Sequence, residues 1–130
     1  MILDNVRLSK DRIVGELNRG FHVAMDALDG GRIGIASQAV GIGRACLEAS
    51  VKYAKEREQF GKPIGQFQAI QWKLADMSTK LDASRMLTHK AAWMRDNGQD
   101  CGQMASQAKL MSSITANFCA DECLQIHGGA

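Results

Sequence analysis

Three long segments of the chain carry apolar residues at every third or fourth position, and this spacing constrains the fold more than any other feature. The segments run over residues 33–56, 67–96 and 102–127. Side chains at this spacing share one face of an α-helix, so each segment is predicted to be an amphipathic helix. Short connections place consecutive helices antiparallel, which predicts an all-α fold, an up-down antiparallel helical bundle. The predicted core positions are Ile33, Ala36, Val40, Gly43 and Leu47, then Phe67, Ile70, Leu74, Met77 and Leu81, and in the last helix Leu110, Ile114 and Phe118 with Met104, Ala108 and Met111 beside them.

Three helices leave at least one side of such a bundle uncovered. An apolar stripe of this length is a liability in a monomer when it faces water. We therefore expect a fourth helix or a partner chain to cover it. Asp96-Asn97-Gly98 has turn chemistry and is predicted to end the second helix, while Gly128-Gly129 is predicted to end the third.

The N-terminal part of the chain carries weaker signals. Ile2–Leu8 is predicted to be the tail of a strand whose sheet is missing, because apolar residues flank an Asp-Asn pair that favours a turn. A short helix is predicted over Phe21–Leu28, with Asn18 or Gly20 as its cap. Asp29-Gly30-Gly31-Arg32 is expected to interrupt or loosen the helix before the first long segment begins.

The connection between the first two long helices, Glu56–Gln68, is richer than a plain turn. Gly61 is expected to end the incoming helix with a positive φ, and Pro63, the only proline of the chain, prevents its continuation. Arg57 offers a fork of donors that suits phosphate, Phe60 and Phe67 offer flat faces, and Gln68 offers an amide. This set suits a nucleotide or a dinucleotide diphosphate. The alternative is structural: the two aromatic rings plug the end of the bundle, and the arginine pairs with a neighbouring acid.

Composition excludes several classes of protein. The 130 residues are 45% hydrophobic and 23% charged, which describes one domain with an ordinary core, and the net charge of +2 gives no nucleic-acid footprint. No apolar run approaches the roughly 18 residues of a membrane span. Residues 1–20 lack the pattern of a signal peptide, so we expect no nucleic acid, no membrane and no secretion.

The four cysteines are predicted to be reduced thiols. Cys46, Cys119 and Cys123 lie within helical segments rather than in a disulfide framework. Cys119, Cys123 and His127 recur every fourth residue and share a helix face, yet a fourth ligand is missing and no metal site is predicted. Gly41-Ile42-Gly43 lacks the strand that precedes a dinucleotide fingerprint, so a close helix crossing is the better interpretation.

Five stretches in this order and spacing resemble the C-terminal helical domain of the acyl-CoA dehydrogenase family, closest to its short-chain, butyryl-CoA type. The resemblance covers nearly the whole chain. It implies that residues 1–14 are the tail of a middle β domain with its linker, and that residues 15–130 are a truncated four-helix-bundle domain, so that the chain is a fragment. The five stretches are Leu28-Asp29-Gly30-Gly31-Arg32, Tyr53-Ala54 with Arg57-Glu58-Gln59-Phe60-Gly61, Phe67-Gln68, Leu74-Ala75-Asp76-Met77, and Gln125-Ile126-His127-Gly128-Gly129.

The resemblance also implies the cofactor, the partners and the site residues. Members of this family bind FAD between subunits of a homotetramer, oxidise an acyl-CoA thioester to the trans-2-enoyl-CoA and pass electrons to an electron-transfer flavoprotein. Arg57, Phe60 and Gln68 match positions that reach the neighbouring subunit's FAD. The matching residues implied along the same cofactor are Gln125, Ile126, His127, Gly128 and Gly129, and those implied at the acyl-CoA channel are Asp29, Gly30, Gly31 and Arg32.

The base required by this chemistry is a glutamate that removes the α-proton. In most of the family it lies beyond the glycine pair, so the resemblance implies a base beyond Ala130, and Gly31 occupies the position of the base found in the isovaleryl branch. We therefore expect no catalytic residue and no dehydrogenase activity in these 130 residues alone. The alternatives are a non-catalytic helical oligomerisation bundle and an acyl-CoA oxidase. A bacterial cytoplasm and a mitochondrial matrix both agree with the sequence.

Overall fold

The computed structural model describes residues 2–128, and three long helices account for most of them. Helix α1 spans Gly20–Glu56, α2 spans Gln68–Asp96 and α3 spans Gly102–His127. Between α1 and α2 lie two short antiparallel strands, β1 (Glu58–Gln59) and β2 (Lys62–Pro63), and a 3-10 turn (Ile64–Gln66). A further 3-10 turn (Lys10–Arg12) precedes α1. The predicted up-down helical bundle is confirmed.

The first helix is longer than predicted because it is continuous through Asp29-Gly30-Gly31-Arg32. The prediction of a separate helix over residues 21–28, followed by an interruption, is wrong. The N-cap position is occupied by Arg19 and not by Asn18 or Gly20. Gly30 lies beneath the guanidinium of Arg95, where a β-carbon would come within 2.7 Å of Nη1. Gly30 therefore leaves space for the Arg95 side chain of α2 and does not interrupt α1.

The predicted strand over Ile2–Leu8 is not formed, since these residues have no strand assignment and are exposed. A strand requires a neighbouring strand to pair its amide and carbonyl groups. Within residues 2–128 the only strand pairing joins Glu58 to Pro63 and Gln59 to Lys62. The division of the chain at residue 14 stays a prediction.

The core consists of two apolar clusters joined by a polar seam. Towards the start of α1, the cluster centres on three buried alanines, and towards its end it centres on Met77, Cys119 and Ile126. Between the clusters, Ser84 donates a 2.8 Å hydrogen bond to Thr115, and the Thr88 and Ser112 hydroxyls are 3.3 Å apart. Small side chains of this kind let α2 and α3 approach closely while every hydroxyl of the seam keeps a partner. The buried alanines are Ala36, Ala91 and Ala108.

The glycine pair of α1 has the role expected for a close helix crossing. A β-carbon on Gly43 would lie 3.1 Å from Leu81 Cδ1 and 3.6 Å from Cys119 Sγ, so both other helices approach at this residue. Gly41 has nothing within 4 Å and faces away from the core. The interpretation as a crossing point is therefore confirmed for Gly43.

The predicted core face of α3 is only partly right, because Ala108 is buried and Met104 and Phe118 pack against the core clusters, whereas Leu110 and Ile114 do not. Leu110 is 62% exposed and Ile114 is 56% exposed, whereas the buried residues of α3 are mostly small. The close approach of the helices explains this difference, because large side chains do not fit at the seam. With Met86 and Trp93 of α2, which are also exposed, these residues form an uncovered apolar face. The prediction of an uncovered face is confirmed. The buried positions of α3 are Ala105, Ala108, Ser112, Thr115, Cys119 and Ile126.

Both predicted helix ends are present. Helix α2 ends at Asp96, and Gly98 follows with φ of +65°. Helix α3 ends at His127, and Gly128 has φ of +64° with its amide bonded to the carbonyl of Leu124. The second glycine of that pair, Gly129, lies outside the described residues.

Candidate functional site

The ends of all three helices border one cleft of about 880 Å³. Because the helices alternate in direction, the C-terminal ends of α1 and α3 meet the N-terminal end of α2 on this side of the bundle. Helix α2 begins at Gln68 with no side-chain cap, and the Ile70 amide donates to the Phe67 carbonyl. Among residues 2–128 no acceptor is found for the amides of Gln68 and Ala69, which face this end of the bundle. The lining residues are Tyr53, Arg57, Gln59, Phe60, Ile64, Phe67, Ala69, Ile70, Ile126, His127 and Gly128.

The short strands form a hairpin that projects an aromatic ring. Its two turn residues both have positive φ, +53° at Phe60 and +77° at Gly61, as in a type I′ turn. The positive φ of Gly61 therefore belongs to the hairpin turn. The prediction that Gly61 ends the incoming helix is wrong, because α1 already ends at Glu56. Phe60 is 92% exposed, and its ring meets the Phe67 ring edge-on at 6.1 Å. An exposed phenylalanine in the left-handed region is strained, and a strained residue with a free ring face is a candidate for ligand contact.

Arg57 lies at the C-cap of α1, where its backbone ties the helix to the turn. Its amide donates to Tyr53 and its carbonyl accepts from Ile64, each at 2.8 Å. Within residues 2–128 no carboxylate lies within ion-pair distance of its guanidinium. The structural alternative for this connection is therefore wrong for Arg57, which has no acid partner among the described residues, and for Phe60, which is exposed. Phe67, the other ring of that alternative, is half-buried and lines the cleft.

Gly65 fits this connection against α1 at close range. A β-carbon at this position would lie 3.0 Å from the backbone oxygen of Ala54. The carbonyl of Gly65 also accepts a 3.0 Å hydrogen bond from Gln71 Nε2. The 3-10 turn is thus held between the first and second helices, and with it the lining residues Ile64 and Phe67.

The cleft brings together five of the residues implied at the cofactor. Gln68 and Gln125 are exposed and lie next to lining residues without lining the cleft themselves. Gly129 lies outside the described residues. As cofactor ligands all eight stay predictions. The five at the cleft are Arg57, Phe60, Ile126, His127 and Gly128.

Tyr53 was missed in the sequence as a site residue. Its ring stacks on His127, with centroids 4.4 Å apart and planes inclined by 25°. The available signal was its position four residues before Arg57, which puts both side chains on one face of α1. The sequence provides no sign of its partner, since Tyr53 and His127 are 74 positions apart.

The residues implied at the acyl-CoA channel lie at the other end of α1. Arg32 forms an ion pair with Asp29 on the same helix. The carboxylate of Asp29 also approaches the start of α3, where a β-carbon on Gly102 would lie 3.1 Å from it. From Arg32 to Arg57 the helix rises about 37 Å at 1.5 Å per residue. Within one chain, the residues implied at the acyl-CoA channel and those implied at the cofactor therefore lie in two separate regions of the bundle.

The four cysteines are free thiols in the described part of the chain. Burial raises the pKa of Cys119, and the nearby Cys46 raises it further. Burial likewise raises the pKa of Cys46, with Cys123 adding to the effect. Over residues 2–128 no three metal-ligating side chains gather at one point, and no helix has the length and hydropathy to cross a membrane.

Comparison with known proteins decides the family. The family model described as "Acyl-CoA dehydrogenase, C-terminal domain" matches residues 18–130. The chain belongs to the acyl-CoA dehydrogenase family. It is 50% identical over 129 residues to 3-(aryl)acrylate reductase of Clostridium sporogenes, covering 99% of this chain and 34% of that protein.

Two solved structures extend the comparison with the acyl-CoA dehydrogenase family. Butyryl-CoA dehydrogenase from Megasphaera elsdenii matches with a TM-score of 0.95 and 43% identity, over 98% of this chain and 33% of that one. The structure of PigA with FAD and proline matches with a TM-score of 0.92 and 30% identity, over 98% and 33%. This chain thus spans about a third of the length of its relatives. The resemblance inferred from the five stretches is confirmed.

Proposed function

We propose that the protein containing this chain binds FAD and oxidises an acyl-CoA thioester to the trans-2-enoyl-CoA. The observation that carries this proposal is the cleft at the α1 and α3 ends, where an exposed aromatic ring lies beside an arginine that has no carboxylate partner among residues 2–128. Similarity to butyryl-CoA dehydrogenase supports the substrate class, and similarity to PigA with FAD supports the cofactor. FAD, when bound, supplies the two-electron acceptor for the oxidation.

The residues of the cleft fit the parts of a dinucleotide. The guanidinium of Arg57 suits diphosphate oxygens, which accept two parallel hydrogen bonds. The uncapped N-terminal end of α2 adds partial positive charge on the same side. The exposed face of Phe60 suits a flat heterocycle, and the absent side chain of Gly128 permits close backbone approach. In this proposal Gln68, Gln125 and Gly129 complete the polar contacts.

The distance between the two predicted sites supports an arrangement in which one chain contributes to two different active sites of an oligomer. Along α1, Arg32 lies about 37 Å from Arg57 at the cleft, and Asp29 lies farther still. We propose that Asp29 and Arg32 line an acyl-CoA channel, while the cleft of the same chain serves the FAD of a neighbouring subunit in a homotetramer. The uncovered apolar faces of α2 and α3 agree with such an assembly.

The remaining parts of the reaction lie outside the described residues in this proposal. The α-proton is removed by a glutamate beyond Ala130, and an electron-transfer flavoprotein receives the electrons. The compartment is a bacterial cytoplasm or a mitochondrial matrix. A second candidate is reduction of the double bond of an acrylate-type substrate, the reverse change at the same two carbons, which similarity to 3-(aryl)acrylate reductase favours.

Spectroscopy of the purified full-length protein tests the proposal. We expect flavin absorption bands that bleach when butyryl-CoA is added without oxygen. Arg57→Ala is expected to weaken FAD binding roughly 10- to 150-fold, because a hydrogen bond to a charged group contributes about 1.5–3 kcal/mol. Arg44→Ala is the control, since Arg44 is exposed and paired only with Glu48 on its own helix. Equal FAD affinity in the two variants would remove Arg57 from the site, and a colourless protein unable to bind added FAD would refute the cofactor.

A further inference from the structure

Contacts from two helices hold the imidazole of His127 in one orientation. From α1, the Tyr53 ring covers one face at a centroid distance of 4.4 Å. From its own helix, the carbonyl of Cys123 lies 2.8 Å from Nδ1, and Cys123 Sγ lies 3.7 Å from the same nitrogen. Both rings line the cleft. A side chain with its face and one nitrogen engaged has little rotational freedom left.

These contacts also determine which ring nitrogen carries the proton. A carbonyl oxygen only accepts hydrogen bonds, so the 2.8 Å contact requires a proton on Nδ1. In the neutral imidazole, Nε2 is then an acceptor. Within residues 2–128 no hydrogen-bond partner of Nε2 is found.

We propose that Tyr53 is a positioning residue that holds His127 so that Nε2 presents an acceptor to a hydroxyl or N–H group of the bound cofactor. This inference rests on the proposed function and deepens it. An acceptor lone pair repels phosphate oxygens, so the diphosphate lies towards Arg57, and a sugar hydroxyl, a ribityl hydroxyl or a ring amine lies against His127. The cleft is thereby divided into a phosphate end and a hydroxyl or amine end.

Substitutions at Tyr53 and His127 separate the effect of the ring stacking on His127 from the effect of filling the same space with an apolar side chain. Tyr53→Phe keeps an aromatic ring against His127. Tyr53→Met keeps an unbranched apolar side chain that fills irregular space but removes the stack. His127→Leu removes the acceptor, whereas His127→Gln places an amide oxygen near the position of Nε2 and is the conservative rescue.

Titration of the full-length apoprotein with FAD, followed by quenching of flavin fluorescence, measures the expected effects. Tyr53→Met and His127→Leu are each expected to raise the Kd about fivefold to tenfold, the fold-change of one neutral hydrogen bond. Tyr53→Phe and His127→Gln are expected to stay within about threefold of the parent. Because Tyr53 acts through His127, adding Tyr53→Met to His127→Leu is expected to change the Kd no further. Independent, multiplying effects in this double variant would overturn the inference.

Chemical modification separates failure of this inference from failure of the proposed function. Diethyl pyrocarbonate reacts with an unprotonated imidazole nitrogen, and peptide mass mapping reads the rate at His127. We expect FAD to protect His127 in the parent protein. No protection would show that the cofactor does not occupy the cleft, which removes both proposals. Protection in the parent together with equal Kd values for Tyr53→Met and Tyr53→Phe would overturn only the role of Tyr53.

Discussion

Gly65 gives the sharpest test of how the cleft is built. It belongs to the 3-10 turn that carries Ile64 and Phe67 into the cleft, and its Cα faces the last turns of α1. In Gly65→Ala the new β-carbon would lie 3.0 Å from the oxygen and 3.4 Å from the carbon of the Ala54 carbonyl. The obstacle is helix backbone, which cannot rotate away as a side chain can. Overpacking of this kind costs about 1–3 kcal/mol.

Two terms set the net effect of Gly65→Ala. The loss of unfolded-state freedom returns about 0.4–1 kcal/mol, so we expect a net destabilisation of up to about 2.6 kcal/mol. Urea denaturation followed by circular dichroism measures it, and FAD titration of the same protein is expected to show weaker binding. Gly41→Ala is the matched control, because nothing lies within 4 Å of its β-carbon and helix propensity alone predicts a gain of about 0.5–1 kcal/mol. A Gly65→Ala protein as stable as its parent, with unchanged FAD affinity, would refute the close contact.

Three further predictions follow from the structure. Phe60→Asn is expected to weaken FAD binding several-fold, because it removes the exposed ring. It is also expected to raise the stability measured by thermal unfolding by up to about 1 kcal/mol, because asparagine tolerates the positive φ of this position. Lower stability of this variant would contradict backbone strain at Phe60. Ser84→Ala is expected to cost about 1–2 kcal/mol in urea because it removes the partner of the buried Thr115 hydroxyl, and adding Thr115→Val is expected to recover part of that loss; additive losses would argue against the bond. The pKa values of Cys46 and Cys119 are raised in the folded state, so their contribution to stability is present below about pH 9 and is lost as the pH rises through the folded pKa values. Urea midpoints measured above pH 9 and the rate at which iodoacetamide alkylates these two cysteines at pH 8 check this prediction. Rapid alkylation of Cys46 and Cys119 in the folded protein would contradict it.

Local signals in the sequence were sufficient for the family and for the three long helices, except for the first part of α1, where the glycine pair wrongly predicted an interruption. Periodic apolar residues identify each long helix, and turn chemistry locates the ends at Asp96 and His127. Both signals act over a few residues, which is the range at which propensity and steric limits operate. The end of the first helix before Pro63 was also predicted, although the hairpin was not, because the usual turn residues of a type I′ hairpin are replaced by Phe60-Gly61.

The sequence by itself determined that this chain forms three long helices, which family it belongs to and which residues carry donors and flat rings. Only the tertiary structure decided how those parts meet: that Gly30 makes room for Arg95, that α3 buries its small face, and that Tyr53 stacks on His127. The physical reason is that periodicity tells which residues share a face but not how closely another helix approaches it. That distance depends on side-chain volumes far apart in the chain, and it sets both the polar seam and the shape of the cleft.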